Sequence, residues 1–254
     1  MNRFHNKKSV SAGFAALTLL LAYALPLFAP ARSHPTERPP ALAADAVLTD
    51  QGCPQKLIAL TFDDGPRRST TSALLDGLAQ RGVPATFFVI GSLLEDKEDL
   101  ILRMDAEGHQ IGIHTYDHVK LLGLSPGDFA AQVDRTRGLL TDILGHNGFL
   151  LRPPYGMVDD GVRAHAGAPI ILWSIDPEDW HNRDPQREAA LITAKARDGS
   201  IILMHDIFTE SVTAALQVVD RLHAQGYLFV TVEELFALRG TPLHPGKVYW
   251  NAYP

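Results

Sequence analysis

The sequence predicts an α/β protein, a closed or nearly closed barrel of parallel strands with an outer ring of helices. From residue 57 onward, apolar runs of strand length alternate with amphipathic stretches long enough to cross over between parallel strands, giving about seven β/α units. Ionisable side chains also follow five of the predicted strands, at the end where the strands of a parallel barrel converge on one mouth. A doubly wound open sheet is the alternative arrangement of the same units.

Each element is predicted from composition and spacing. The strands are short apolar runs bounded by turn residues, and they cover 57–62, 84–90, 110–113, 149–151, 169–173, 200–204 and 227–230. The helices are amphipathic stretches between these runs, and they cover 69–81, 96–107, 126–144, 156–166, 185–197, 209–225 and 231–238. The tail, 241–254, carries Trp250 and Tyr253 and is predicted to pack across one end of the barrel.

Length and charge narrow the possible functions. A chain of 254 residues is enough for one sizeable domain and too short for two comfortable ones. The net charge is −6 and no long basic run occurs, so the sequence predicts no nucleic-acid partner. Cys53 is the single cysteine of the chain, which excludes an internal disulfide.

The N-terminal residues predict export from the cytoplasm. Residues 1–31 combine basic residues near the start, an apolar stretch at 14–29 and small residues at the two positions that a signal peptidase reads. An uncleaved membrane anchor is the alternative, although the apolar stretch is short of the ~20 residues that span a bilayer. Residues 32–54 are rich in Pro and Ala, lack periodicity and are predicted to be a linker.

The first predicted strand ends in two adjacent carboxylates, Asp63 and Asp64, followed by a Gly65-Pro66 turn. Burying two like charges is costly, so a buried strand has no reason to end this way unless a cation binds there. The alternative is a helix cap or a solvated turn. The C-terminal end of a barrel strand is also where catalytic residues lie in this architecture, which favours a cation-binding site.

His114 and His118 follow the third predicted strand and are four residues apart, which places them on one face if the segment forms a helical turn. With a strand-end carboxylate they provide two nitrogens and one oxygen, a common catalytic zinc set that leaves positions open. Asp64 is the better candidate for that carboxylate. Asp63 would then stay free as a general base for the attacking water. We therefore expect a divalent metal ion as cofactor, with zinc as the first choice.

Arg152 follows the fourth predicted strand and is always charged, so it can hold a carboxylate in a fixed orientation. A surface ion pair is its alternative role. Two prolines follow it, and Tyr155 and Gly156 close the turn. A stiff segment of this kind suits a positioned side chain and an exposed backbone N–H.

His205 lies one residue beyond an apolar strand, where it is either a buried structural histidine or a general acid. As an acid it needs a carboxylate to orient it, and Asp179 is a candidate. The candidate substrate-binding residues lie beside these groups in the motifs, and they are Pro154, Tyr155, Trp180 and Leu203.

Five segments in this order resemble the motifs of the polysaccharide deacetylases of the NodB-homology type, carbohydrate esterase family four. They are Thr61-Phe62-Asp63-Asp64-Gly65-Pro66, His114-Thr115-Tyr116-Asp117-His118, Arg152-Pro153-Pro154-Tyr155-Gly156, Asp176-Pro177-Glu178-Asp179-Trp180 and Leu203-Met204-His205. The match spans residues 55–240. Five ordered motifs are far more specific than any one of them alone.

The resemblance implies a distorted (β/α) barrel of about seven strands and metal-dependent removal of N- or O-acetyl groups from a sugar polymer. In this family the residue that matches Asp63 is the base, and those that match Asp64, His114 and His118 bind the metal ion.

The resemblance also implies the supporting roles. Arg152 would hold the base, and the Tyr155 N–H would help to bind the oxyanion. Asp179 would tune His205, the acid, although Asp176 is equally close in sequence and could share this role.

The expected function is that of an exported, metal-dependent deacetylase acting on N-acetylglucosamine units of a polysaccharide, resembling the peptidoglycan deacetylases. Acetylxylan or another O-acetyl ester, or chitooligosaccharides, are alternative substrates on the same scaffold. A carbohydrate-binding protein without catalysis is the alternative from another class. The complete set of base, acid and ligand candidates argues against it.

Overall fold

The computed structural model describes residues 56–254. The predicted leader (1–31), the predicted linker (32–54) and Cys53 lie outside the described residues, so those interpretations stay predictions. Within residues 56–254, no helix is both long and apolar enough to span a lipid bilayer.

Short strands alternate with helices along the described chain. The strands are β1 (Lys56–Asp63), β2 (Thr86–Val89), β3 (Gln110–Ile113), β4 (Ile170–Ile171), β5 (Ser200–His205), β6 (Tyr227–Phe229) and β7 (Val248–Tyr249). The helices are α1 (Arg68–Ala79), α2 (Glu98–Ala106), α3 (Pro126–Gln132), α4 (Asp134–Leu144), α5 (Asp160–His165), α6 (Asp179–Asn182), α7 (Pro185–Lys195), α8 (Thr209–Ala224) and α9 (Val232–Leu238). Two 3₁₀ turns lie at Gly91–Leu93 and Pro154–Gly156.

Strand β1 lies at the centre of the sheet and pairs with three neighbours, all of them parallel. On one side β5 pairs with it from Ile58 to Asp63. On the other side β6 pairs with residues 56–58 and β2 with residues 61–63, and β3 continues the sheet beyond β2. The register sets Asp63 opposite His205, so two candidate catalytic residues leave adjacent strand ends.

Single bridges complete the ring of strands. Leu151 bridges Ile113 at the end of β3 and Ile170 in β4. β7 pairs with β4, Asn251 just after β7 bridges Ser200 in β5, and Ile175 bridges Ile202 in β5. The expected α/β barrel of about seven parallel strands is therefore confirmed. Its distortion is concentrated between β3 and β5, where the ladders shrink to one or two residues.

The structure differs from the predicted elements in several places. The predicted strand 149–151 is reduced to the single bridge at Leu151, because the prolines that follow Arg152 have no N–H to donate to a ladder. The predicted helix 126–144 is two helices that meet at Val133. The tail contributes β7, which the sequence did not predict because two residues are too few to show periodicity.

Side chains alternate between two apolar clusters along the strands. Ile58, Leu60 and Phe62 pack outward with the helices, whereas Leu57 and Ala59 pack into the barrel interior. On β5, Ile202 and Met204 likewise belong to the outer cluster and Ile201 to the inner one. Asp63 and His205 continue the inward series and therefore lie at the mouth of the barrel.

The inner cluster is tight at Gly112 of β3, and this gives a stability prediction. A Cβ added there would lie 2.6 Å from the Phe88 ring and 3.1 Å from the Leu150 carbonyl oxygen. We expect Gly112→Ala to lower the free energy of unfolding by about 1–3 kcal/mol through overpacking, measured by urea denaturation. Gly138→Ala on α4, where an added Cβ meets nothing within 4 Å, is the control and should be neutral or stabilising. Equal effects of the two substitutions would contradict the prediction.

Candidate active site

The end of β1 directs two adjacent carboxylates to different partners. Asp63 continues the strand, is 3% exposed, and accepts a hydrogen bond of 2.8 Å from Arg152 Nη1. Asp64 adopts a left-handed backbone conformation (φ 73°), and its carboxylate lies beside His114 and His118 instead. A left-handed residue immediately after the strand thus separates the two acids.

Arg152 is fully buried in the barrel interior. Its Nη1 donates to Thr61 Oγ1 at 2.7 Å as well as to Asp63, while Nε and Nη2 donate to the carbonyls of Ile171 and Leu172, each at 3.1 Å. The guanidinium also lies 4.1 Å from the centroid of the Phe88 ring. Burial lowers the pKa of Arg152 and the charge of Asp63 opposes this, so the pair is held as an ion pair.

Asp64, His114 and His118 each offer one ligand atom, and these atoms lie within 4.8 Å of one another. Asp64 Oδ1 is 3.4 Å from His114 Nε2 and 3.3 Å from His118 Nε2. His114 Nδ1 lies 2.7 Å from the Arg152 carbonyl oxygen, which requires a proton on Nδ1 and leaves a lone pair on Nε2. This is the outer hydrogen bond that metal-binding histidines usually make.

The chemistry of this set fits a divalent cation. Asp64 Oδ1 is buried and has no hydrogen-bond partner among residues 56–254, an arrangement that a bound cation would satisfy. Burial raises the pKa of Asp64, but His114 and then the charges of His205 and His118 outweigh it, so the pKa lies below the usual value. Burial also lowers the pKa of His118, despite the opposing charge of Asp64. Both shifts favour the deprotonated forms that bind metal.

The segment that joins the two histidines does not form a helical turn, the conformation under which the two side chains were expected to share a face. Residues 114–118 form a loop, and both Thr115 (φ 66°) and His118 (φ 56°) are left-handed. The loop still brings the two imidazole rings together, with centroids 5.0 Å apart. The predicted pairing of His114 and His118 is thus present, but through a different backbone path.

His205 and Asp179 form a second buried pair at the same mouth. Asp179 is fully buried, accepts from the His205 backbone N–H at 2.8 Å and lies 2.8 Å from His205 Nδ1. Burial lowers the pKa of His205, but Asp179, followed by Asp63 and Asp64, raises it more, to about 9. Asp176 accepts instead from the Glu178 backbone N–H, so the contact with His205 belongs to Asp179.

The candidate substrate-binding residues differ in accessibility. Tyr155 is 59% exposed, and its ring centroid lies 5.0 Å from that of His118. Trp180 is 51% exposed, so the rings of Tyr155 and Trp180 are both accessible to a ligand. Pro154 is buried, and Leu203 is 3% exposed at the inward position before His205, so neither offers much area to a polymer.

Three further residues support the site in roles that the sequence did not predict. Thr61 accepts from Arg152 and donates to the Ile202 carbonyl at 2.6 Å. Asp206 is buried against Gly65, and burial raises its pKa to about 7. Gln132 binds the backbone between the two histidines. Only Thr61 had a usable signal, because residue 61 faces the interior whenever residue 63 does.

Comparison with known proteins identifies the family. Residues 50–168 match the family described as polysaccharide deacetylase. A solved structure described as T48 deacetylase with substrate is 42% identical, with a TM-score of 0.74, and the match covers 77% of this chain and 96% of that one. The chain belongs to the polysaccharide deacetylase family. The resemblance in the five motifs is confirmed.

Two further relatives show the range of the family. The peptidoglycan-N-acetylglucosamine deacetylase PgdA of Listeria monocytogenes is 41% identical over 196 residues, which cover 77% of this chain and 41% of that protein. The family 4 acetyl xylan esterase from Clostridium thermocellum, solved in complex with a cobalt ion, is 30% identical with a TM-score of 0.74, covering 77% of this chain and 98% of that one. The chain thus spans about two fifths of the Listeria protein.

The His205–Asp179 pair gives a prediction about protonation. In metal-free protein, Asp179→Asn should lower the pKa of His205 well below 9, because the charge that outweighs burial is lost. The raised pKa stabilises the fold below the unfolded value of 6.5, and that stabilisation is lost as the pH rises through about 9. Nuclear magnetic resonance titration of the imidazole measures the shift. Asp176→Asn is the matched control, and an equal shift there would contradict the assignment to Asp179.

Proposed function

We propose that this chain is a metal-dependent deacetylase that hydrolyses the N-acetyl groups of N-acetylglucosamine units in peptidoglycan, outside the cytoplasm. One observation carries the proposal. A set of two histidines and one aspartate stands at the same barrel mouth as two buried ion pairs, Asp63–Arg152 and His205–Asp179. A cation site, a base and an acid are the parts that amide hydrolysis requires.

The cation site is formed by Asp64, His114 and His118, and zinc is the ion we propose. A bound divalent ion would lower the pKa of a water molecule and polarise the acetyl carbonyl. Three protein ligands leave coordination positions for water and substrate, as in catalytic zinc sites. The buried, unpartnered Oδ1 of Asp64 supports this assignment.

Asp63 is the proposed general base. Arg152 binds Asp63 Oδ1, while Oδ2 lies 3.7 Å from His114 Nε2 and so faces the cation site. The carboxylate is therefore oriented with one oxygen occupied and the other available to take a proton from the attacking water. Arg152 touches no solvent, so its role is to orient and charge-balance the base.

The acetyl oxygen gains negative charge during attack, and the Tyr155 backbone N–H is the proposed donor to it. Tyr155 has a left-handed backbone conformation (φ 63°) in a turn stiffened by Pro153 and Pro154. Its ring lies against that of His118, which places this turn beside the cation site. A fixed backbone donor of this kind stabilises an oxyanion without reorganising.

His205 is the proposed general acid. Asp179 holds the ring through Nδ1, so Nε2 is the nitrogen left to give a proton to the departing amine. A pKa of about 9 keeps the ring protonated at neutral pH, which is the form an acid needs. Asp179 also accepts a hydrogen bond from the His205 backbone N–H, so one carboxylate fixes both the imidazole ring and the end of β5.

The polymer and the location are proposed on three grounds. The exposed rings of Tyr155 and Trp180 provide apolar faces for a sugar chain at the mouth. The Listeria relative is described as acting on N-acetylglucosamine of peptidoglycan. The apolar segment at 14–29 with its basic start favours export to the compartment where this polymer lies.

Acetate release tests the proposal directly. The chain, loaded with zinc, is incubated separately with peptidoglycan, chitin oligomers and acetylxylan, and released acetate is measured for each. We expect release from peptidoglycan to exceed that from the other two. Preference for acetylxylan would reassign the chain to O-acetyl esters. No release from any acetylated glycan with zinc bound would favour a binding protein.

The two adjacent acids give the matched variants for this experiment. Asp63→Asn should abolish acetate release but keep the metal, since Asp63 binds Arg152 and not the ion. Asp64→Asn should lose both, because Asp64 is a ligand candidate. Metal content measured by atomic emission separates the two outcomes, and equal metal occupancy in both variants would contradict this division of roles.

His205→Ala tests the acid. We expect acetate release from an N-acetyl glycan to fall by about 10²–10⁴ with metal content unchanged. The loss should be smaller on an O-acetyl glycan, because an alkoxide departs more easily than an amide anion. Equal losses on both substrates would remove His205 as the acid for the leaving group.

A further inference from the structure

The loop between the two histidine ligand candidates has no regular hydrogen bonding of its own. Thr115 and His118 are left-handed, a conformation that residues other than glycine seldom adopt. Such a backbone persists only when surrounding groups hold it. The groups that hold this loop therefore decide where the His118 ring points.

One side of the loop is held by backbone donors. Gly91 N–H donates to the Thr115 carbonyl at 2.9 Å, and Ser92 N–H donates to the Tyr116 carbonyl at 2.8 Å. Gly91 can approach this closely because it has no Cβ, which would collide with Thr136 Oγ1 and lie 2.8 Å from the Tyr116 ring. These contacts fix the carbonyl groups of the loop and leave its N–H groups to another partner.

The other side of the loop is held by one side chain, Gln132, at the end of α3. Its Oε1 accepts from the Tyr116 N–H at 3.1 Å and from the Asp117 N–H at 2.9 Å. Its Nε2 donates to Asp117 Oδ2 at 3.0 Å. Backbone N–H groups only donate, so these contacts fix the orientation of the amide. Three hydrogen bonds from one side chain thus meet the two residues just before His118.

The neighbouring helix strengthens the same contact. Helices α3 and α4 meet at Val133, and α4 places the Arg135 guanidinium 3.6 Å from the centroid of the Tyr116 ring. Thr136, fully buried, donates to the Gln132 carbonyl at 2.9 Å. The Thr136 hydrogen bond therefore fixes the Gln132 backbone, while the Gln132 side chain binds the loop.

We propose that Gln132 is a positioning residue for the metal site. Its amide keeps the 115–118 loop in the conformation that directs His118 Nε2 to within 3.3 Å of Asp64 Oδ1. Without this acceptor, two adjacent N–H groups lose their partner and the left-handed His118 loses its support. The inference rests on the proposed role of Asp64, His114 and His118 as metal ligands.

Cobalt binding to the full chain tests the inference without using activity. The dissociation constant and visible spectrum of Co²⁺ are measured for the wild type and for Gln132→Met, which keeps helix propensity and volume but has no amide. We expect the variant to bind Co²⁺ about 10–100-fold more weakly, the usual effect of removing an outer hydrogen bond at a metal site. Its visible band should change shape, while the thermal midpoint of the metal-free protein changes little.

A charge-neutral exchange separates positioning from general disruption. Gln132→Glu combined with Asp117→Asn keeps an acceptor for the two N–H groups and an amide donor in the pair, so it should restore binding and spectrum toward the wild type. Gln186 is an exposed glutamine on α7, distant in sequence from the 115–118 loop. Gln186→Met is therefore the matched control and should bind Co²⁺ as tightly as the wild type.

Three outcomes would overturn the inference. Wild-type affinity in Gln132→Met shows that the amide is dispensable, and failure of the exchange to restore binding shows that its hydrogen bonds are not the cause. A wild type that binds no Co²⁺ or Zn²⁺ rejects the metal site itself, and with it the proposed function. The first two outcomes leave that function standing.

Discussion

Arg152 brings a positive charge into the barrel interior, where the side chain is fully buried. Asp63 and Thr61 at the end of β1 bind it from one side, and the carbonyls of Ile171 and Leu172 bind it from the other. Asp63 and Thr61 lie on β1, in the regular part of the barrel. Ile171 and Leu172 lie in or just after β4, where the strand ladders are shortest, so the guanidinium connects these two parts. Removing one partner of a buried charge pair typically costs about 3–5 kcal/mol, so the position of Asp63 and the stability of the barrel depend on the same contact.

Arg152 also connects the proposed base, Asp63, to the proposed cation site. The Arg152 carbonyl accepts a hydrogen bond from His114 Nδ1, which leaves Nε2 directed toward Asp64, while the Arg152 side chain binds Oδ1 of Asp63. The backbone and the side chain of Arg152 thus orient His114 and Asp63 relative to each other. Adjacent carboxylates that would otherwise repel each other are thus directed to separate partners.

The sequence predicts the convergence of the site because a parallel barrel leaves little choice. Asp63, His114 and His205 directly end or follow strands, and inward alternation brings such positions to one mouth. The choice between Asp176 and Asp179 lies outside that rule. It depends on the turn at Glu178, a left-handed residue that lies just before α6. This turn brings the buried Asp179 carboxylate into contact with His205.

Other features leave no periodic signal. Strands of two residues, such as β4 and β7, are shorter than any period that a sequence can show. The bridge at Leu151 and the path of the 114–118 loop depend on partners far away in the chain. A glutamine such as Gln132 reads as an ordinary helix-surface residue, because its partners are backbone groups of a loop with no predicted conformation.

Backbone conformation at the mouth limits how this scaffold can be stabilised. Five non-glycine residues around the site have positive φ angles, and they are Asp64, Thr115, His118, Tyr155 and Glu178. Glycine at such positions removes the steric penalty of a left-handed backbone, which makes these sites attractive in stability engineering. At Asp64 and His118, however, glycine would also delete the side chains that are proposed to bind the metal ion. The residues that carry this backbone penalty are thus the ones proposed to act in the site, so a search for heat-resistant variants is better directed to helix surfaces remote from the mouth.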